Sequence, residues 1–161
     1  RLKDKLYDKA IQAADTALEK TPNHRGALMC KALVFISQKM YLDANKELNY
    51  LINFLEKDLK DDDPTGIGTL AAAYANRGII KDRQENYEGA LEDYIKAIKI
   101  DEEAVGGPGF GTVILNYKFK SSSVQERAIY IYEQLQLPED ERDLKIQELD
   151  EGQVMHKPGK L

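Results

Sequence analysis

The sequence predicts an all-α fold built from antiparallel helix pairs, and the spacing of small residues is the first observation behind this prediction. Gly78 is followed by Ala90 after twelve residues, then by Tyr94 after four and Ala97 after three. Antiparallel helices approach to the close end of their usual separation only where Gly or Ala stands at the crossing. Aromatic side chains such as Tyr94 would fill the space around that contact.

The second observation is that the pattern recurs upstream in the same phase. Ala44 lies 34 residues after Ala10, and the step from Ala44 to Ala90 is 46 residues. A tyrosine precedes each of these alanines by three residues, at Tyr7, Tyr41 and Tyr87. Recurrence at a fixed interval indicates repeated structural units, which bury their apolar faces only against their neighbours.

These intervals resemble the tetratricopeptide repeat, a helix–turn–helix unit of about 34 residues. In each unit a first helix (helix A) pairs with a second (helix B). The resemblance covers residues 7–58 and 71–104 and weakens over 110–137. It implies a superhelical array of about 3.5 repeats followed by a C-terminal helix. The first repeat is expected to consist of helix B alone, since Arg1 lies near the end of its helix A.

The expected organisation has three parts. Residues 1–104 form the repeats, with an acidic insertion over 59–70. Residues 105–151 form a degenerate fourth repeat and a capping helix, and residues 152–161 form an extended tail. The four glycines and the proline within 105–111 disfavour helix, so a hinge is expected at Gly106–Gly111.

Helix boundaries follow from local signals. Helix B of the second repeat is expected to run to about Leu59, and Asp63 with Pro64 marks the next helix start as N-cap and first helical residue. Ser123 with Glu126 predicts a capping box. Pro138, followed by three acidic residues, predicts a final helix that runs to about Glu151.

Composition excludes several classes of function. The chain has 161 residues, of which 23 are basic and 28 acidic, giving a net charge of -5. This charge argues against general nucleic-acid binding, which depends on neutralising phosphates. No apolar run approaches the roughly 20 residues that cross a bilayer, so membrane insertion is not expected. Cys30 is the single cysteine, which suits a reducing compartment, and a cytoplasmic location is expected.

No motif predicts catalysis, a metal or a cofactor. The glycine-rich stretch before Gly111 lacks the Lys-Ser/Thr pair of a phosphate loop. The acidic run Asp61 to Asp63 lacks the ligand register of a calcium loop and predicts a solvated turn. His24 and His156 have no partner at metal-ligand spacing. We therefore expect a non-enzyme without cofactors.

The resemblance implies a concave face, lined by helix A residues, that receives a peptide or a partner helix. The positions expected to contact it are Met29, Cys30, Leu33, Ser37, Asn76, Ile79 and Arg83. An alternative is that Met29 and Leu33 complete the core. Of the clamp residues by which one subclass binds terminal carboxylates, Asn76 alone is present, so that function is not expected.

At two helix A positions of the third repeat, Arg77 and Lys81 replace the usual Leu and Tyr. We expect their stems to be buried while their charges reach nearby acids.

The sequence thus predicts a protein-interaction scaffold with a protein or peptide partner. Two alternatives remain open: self-association into a homo-oligomer through the uncovered first helix, and a regulatory or targeting segment of a larger enzyme. A further alternative is that the tail Val154–Leu161 occupies the groove of its own chain.

Overall fold

The computed structural model describes residues 1–105 and 123–145. This part of the chain is helical and contains no strand, which confirms the all-α prediction. The expected hinge, the degenerate helix before residue 123 and the tail from 152 lie outside the described residues. The helices are α1 (Leu2–Lys20), α2 (Arg25–Ser37), α3 (Tyr41–Asp58), α4 (Pro64–Arg83), α5 (Tyr87–Val105) and α6 (Ser123–Leu135), followed by a 3₁₀ turn (Glu139–Glu141).

The helices pack in chain order as an array of antiparallel pairs. α2 packs on α3 and α4 packs on α5, and these are the two A–B pairs expected from the sequence. α1 packs on α2, α3 packs on α4, and α2 also contacts α4. α6 packs directly on α5, so it adds to the array as α4 adds to α3. The inner helices α2 to α5 therefore bury their apolar stripes between neighbours.

The small residues lie at the helix crossings, as the repeat register predicts. Ala44 and Ala90 are both fully buried. At Gly78 of α4 a Cβ atom would stand 2.6 Å from two ring carbons of Tyr94 and 3.3 Å from the Ala90 carbonyl oxygen. Tyr94 is itself fully buried and cannot move aside. The close approach of α4 and α5 thus depends on glycine at position 78.

The acidic insertion is mostly absorbed into helix. α3 ends at Asp58 and α4 begins at Pro64, so a short non-helical turn separates them. The Asp63 side chain accepts a hydrogen bond of 2.9 Å from the Gly66 N–H, which confirms the predicted N-cap. Asp63 also pairs with Arg25 at 2.6 Å, which ties the start of α4 to the start of α2.

Arg77 and Lys81 behave as the sequence predicts. Arg77 donates to both carboxylate oxygens of Asp93 on α5 at 2.8 and 2.9 Å, and to Asn49 on α3 at 2.9 Å. Lys81 reaches Asp93 at 2.9 Å. Asp93 is 1% exposed, so two cations converge on one buried carboxylate. Polar contacts here replace the apolar ones that the usual Leu and Tyr would make.

The predicted final helix from Pro138 to Glu151 is wrong within the described residues. Only the single 3₁₀ turn Glu139–Glu141 forms, and the backbone is extended at Arg142. Arg142 donates to the Leu137 and Leu135 carbonyl oxygens at 2.9 and 3.2 Å, which satisfies acceptors at the end of α6. Basic side chains near a helix C-terminus commonly bind its last carbonyl groups in this way. The acidic residues that favour a helix start were not sufficient here, because a short helix is marginal in water unless it packs an apolar face against a neighbour.

Candidate protein-binding face

The predicted contact residues of α2 share one side of the helix. Cys30, Leu33 and Ser37 follow one another at three and four residues, the spacing of a single helical face. All three are partly exposed. The Ser37 hydroxyl donates to the Leu33 carbonyl oxygen at 3.0 Å within the helix. α2 thus presents a small, mostly apolar strip at the surface.

The predicted contact residues of α4 are less accessible. Asn76 and Ile79 occupy the same repeat positions as Cys30 and Leu33, 46 residues later, yet both are fully buried. Met29 of α2 is also buried, and the Asn76 amide approaches its sulfur at 3.4 Å. Met29 and Asn76 therefore contribute to packing between α2 and α4, and Ile79 belongs to the hydrophobic core. Of the predicted contact residues, Cys30, Leu33, Ser37 and Arg83 are partly exposed.

Arg83 is the charged member of this face. It takes the repeat position of Ser37 and is partly exposed. Within the described part of the chain no hydrogen bond or ion pair engages its guanidinium group. A partly exposed guanidinium offers up to five donors to a carboxylate or a carbonyl.

Beside Arg83, a buried ion pair joins α4 to α6. The Asp82 carboxylate accepts hydrogen bonds from Arg127 at 2.8 and 2.7 Å and from the Tyr94 hydroxyl at 2.9 Å. Asp82 is 4% exposed and Arg127 is 5% exposed. Sequence reasoning missed this pair. Its signal was the position of Arg127 between Val124, Ala128 and Ile131, which are all buried.

The comparisons with known proteins bear on the fold that carries this face. A family profile described as the tetratricopeptide repeat matches residues 71–103, the region of α4 and α5. This region of the chain, residues 71–103, is a tetratricopeptide repeat. Its match to the profile covers the pair of helices in which Gly78, Ala90 and Tyr94 form the close crossing.

Two curated proteins similar to this chain are named "DnaJ homolog subfamily C member 7", from Mus musculus and Homo sapiens. The identities are 33% and 32% over 100 residues, or 59% of this chain. The matched region is 20% of each relative, so the chain spans about a fifth of their length. No solved structure matches the chain significantly.

The first helix, α1, has a second exposed apolar surface. Leu2 and Leu6 of α1 are 75% and 55% exposed. Ala10 is partly exposed, although its repeat equivalents Ala44 and Ala90 are fully buried.

On its other side α1 is attached by Lys31 of α2, whose ammonium group lies 2.8 Å from Asp15 and 3.4 Å from Glu47 of α3. The hydrogen bond that Lys31 donates to Asp15 is the main cause that raises the pKa of Lys31, so the charged form is favoured.

A third polar cluster surrounds Tyr74 of α4. Arg77 and Lys96 approach its ring at 5.2 and 5.4 Å from the centroid, within the range of cation–π attraction. Its hydroxyl hydrogen-bonds Glu56 of α3. Burial, followed by this hydrogen bond, raises the pKa of Tyr74 to about 12, so the phenol stays protonated. The cluster links α3, α4 and α5 and has a structural role.

The described residues contain no group of three or more His, Cys, Asp and Glu side chains arranged to hold a metal ion. None of the described helices is both long and apolar enough to cross a membrane.

Proposed function

We propose that this chain is a protein-interaction scaffold that binds an extended peptide or a partner helix across α2 and α4. The observations that carry the proposal are the partly exposed strip of Cys30, Leu33 and Ser37 on α2 and the partly exposed Arg83 at the equivalent repeat position on α4, whose guanidinium no described residue engages. A partner with an apolar side chain and a carboxylate or carbonyl acceptor fits this combination. Met29, Asn76 and Ile79 support the face from below.

Two substitutions test the face separately. Leu33→Glu places a charge in the apolar strip, and Arg83→Glu reverses the charge that would attract an acceptor. Matched controls are Leu42→Glu, at a leucine of α3 that is 84% exposed, and Lys99→Glu, at an exposed lysine of α5. All four variants should retain the helical circular dichroism of the parent chain.

The readout is quantitative pull-down followed by titration with each partner that is recovered. We expect both face variants to lose at least roughly ten-fold in affinity, about 1.4 kcal/mol, while both controls bind like the parent. Equal binding by the parent and both face variants would refute the assignment of this surface.

We further propose that the chain acts as the protein-binding segment of a longer protein. The observation in favour is that the chain corresponds to about a fifth of the DnaJ homologs it resembles. Its single cysteine suits a reducing compartment, so a cytoplasmic location is part of this proposal. The mass of the natural full-length protein tests the first point, and microscopy of that protein carrying a fluorescent tag tests the second.

A second candidate function is self-association through α1, favoured by the exposure of Leu2 and Leu6. Two copies could bury these side chains against each other. Light scattering over a concentration series separates this function from the first, and Leu6→Glu should abolish any increase in mass. A strict monomer at the highest concentration excludes it.

A further inference from the structure

The segment that follows α6 is held along that helix by its backbone. The Tyr130 hydroxyl donates to the Asp143 carbonyl oxygen. The Asp143 N–H donates to the Gln134 side-chain oxygen at 2.6 Å, and Arg127 donates to the Leu144 carbonyl oxygen at 2.7 Å. Three backbone groups of two adjacent residues are thus bound by side chains of one helix. Contacts to backbone do not depend on the sequence that is bound.

The side chains of the segment supply the selective contacts. Leu144 is partly buried and packs against the hydrophobic core. Lys145 lies 3.1 Å from Glu85, which is in the turn between α4 and α5. An apolar recess therefore contacts the leucine, and the Glu85 carboxylate contacts the lysine at the next position.

The recess extends beyond the space that Leu144 fills. A cavity of about 450 Å³ lies between the α4–α5 turn and α6, with Leu144 in its wall. Tyr87 and Leu135 contribute apolar surface, and Glu85, Glu88 and Glu139 contribute carboxylates. A volume in this range accommodates a small ligand or several side chains. The carboxylates favour a ligand that carries positive charge.

We propose that α6 and the α4–α5 turn form a second peptide-binding channel, occupied in this structure by the chain's own residues 142–145. The ligand class is an extended peptide with a leucine followed by a lysine or arginine. This site is distinct from the α2–α4 face and goes beyond the proposed scaffold function. The present segment acts as an intramolecular occupant that an external peptide must displace.

Displacement is feasible because several contacts of the occupant lie at the surface. The Lys145–Glu85 pair is 75% and 58% exposed, and such pairs contribute little to stability. Asp143 and its contacts with Tyr130 and Gln134 are also exposed. Leu144 is the contact that most resists release, because it is partly buried. A segment tethered to its site competes at a high effective concentration, so the parent chain should bind external peptide weakly.

The test uses the full chain and a fluorescent, end-capped peptide that copies residues 139–145. Leu144→Ala in the protein weakens the internal occupant and leaves Tyr130, Gln134 and Arg127 unchanged. We expect this variant to bind the peptide at least roughly ten-fold more tightly than the parent by fluorescence anisotropy. Leu137→Ala is the matched control, because Leu137 is an exposed leucine whose side chain should not occupy the recess.

A changed peptide and a further protein variant test whether the peptide binds at this site. A peptide with alanine in place of its leucine should lose binding to the Leu144→Ala protein. Tyr130→Phe combined with Gln134→Ala, added to that protein, should lower affinity several-fold, since both backbone contacts disappear while the buried Arg127 remains. Leu33→Glu should leave the peptide affinity unchanged, which separates this site from the α2–α4 face. The proposal is overturned if Leu144→Ala binds no more tightly than the parent, or if the double substitution has no effect.

Discussion

Arg127 of α6 donates two hydrogen bonds, at 2.8 and 2.7 Å, to the carboxylate of Asp82 on α4, and both residues are almost fully buried. The two residues lie 45 positions apart in the chain, on helices that are not consecutive. It fixes the position of α6 and, through the bond from Arg127 to the Leu144 carbonyl oxygen, the segment that follows.

Removing one partner of this pair should destabilise the protein strongly. Asp82→Ala leaves the Arg127 charge buried without its carboxylate, which typically costs about 3–5 kcal/mol in the free energy of unfolding. Chemical denaturation monitored by circular dichroism measures the change. Glu85→Ala, which breaks the exposed pair with Lys145, is the control and should cost no more than about 1 kcal/mol. Similar losses for both substitutions would contradict a special role for the buried pair.

Replacing both partners tests whether the pair itself stabilises the fold. Combined Asp82→Leu and Arg127→Met removes both charges and keeps apolar volume, so it should recover much of the stability lost in Asp82→Ala. The same denaturation experiment applies. If the double variant is less stable than Asp82→Ala, apolar side chains cannot substitute for the network that includes Tyr94.

The Asp93 carboxylate should make stability depend on pH in the acid range. Burial by itself would raise the pKa of Asp93, but the hydrogen bonds from Arg77 and then Lys81 outweigh burial and hold it below the ordinary value of 3.8. A depressed pKa in the folded state means that the unfolded chain takes up a proton first as pH falls. The stabilisation is therefore complete above about pH 5 and is lost as pH falls through 3.8 toward the folded value.

Urea denaturation at a series of pH values from neutral to acid checks this dependence. Asp93→Asn should be less stable than the parent at neutral pH, and the difference should shrink as pH falls. Glu92→Gln, at the exposed neighbouring acid, should run parallel to the parent over the whole series. A constant gap between Asp93→Asn and the parent would argue against titration of Asp93.

Gly78→Ala should destabilise although alanine favours helix. The added Cβ would lie 2.6 Å from two carbons of the buried Tyr94 ring, and such overpacking costs about 1–3 kcal/mol. This exceeds the gain of roughly 1 kcal/mol in helix propensity. Gly26→Ala is the matched control, because its Cβ would meet only His24 at 3.4 Å. Thermal unfolding should show a lower Tm for Gly78→Ala and an equal or higher Tm for Gly26→Ala.

The three repeat-equivalent alanines give an internal comparison of burial. Ala44→Leu and Ala90→Leu should each lose about 1–3 kcal/mol, because both positions are fully buried. Ala10→Leu should be tolerated, because Ala10 is partly exposed on α1. Denaturant titration of the three variants measures the difference. An equal loss at all three positions would show that α1 packs as tightly as α3 and α5.

Local patterns were sufficient to predict much of the array. The interval from Gly78 to Ala90 predicted a close crossing, and Asp63 with Pro64 predicted the start of α4. Both predictions were confirmed. A helix N-cap depends on residues a few positions apart, and a close crossing depends on small residues at a repeated interval. The final helix from Pro138 was wrong because its start signals say nothing about the side chains, Gln134 and Arg142, that bind the nearby backbone.

The candidate contact face also combines positions that the sequence predicted with an exposure that it did not predict. Sequence position selected Cys30 and Leu33 together with their equivalents Asn76 and Ile79, and only the first two are partly exposed. Equivalent positions in a repeat have equivalent directions, but their exposure depends on which neighbouring elements cover them. No interval along the chain indicated that Arg127 would meet Asp82.

The amino-acid sequence by itself determined the helical class, the repeat register and the close A–B crossings, because these follow from side-chain size at fixed intervals. Tertiary structure alone decided which positions of the face stay open, which charges are buried together, and that the segment after α6 is extended. Those outcomes depend on contacts between residues far apart in the chain, which local periodicity does not specify.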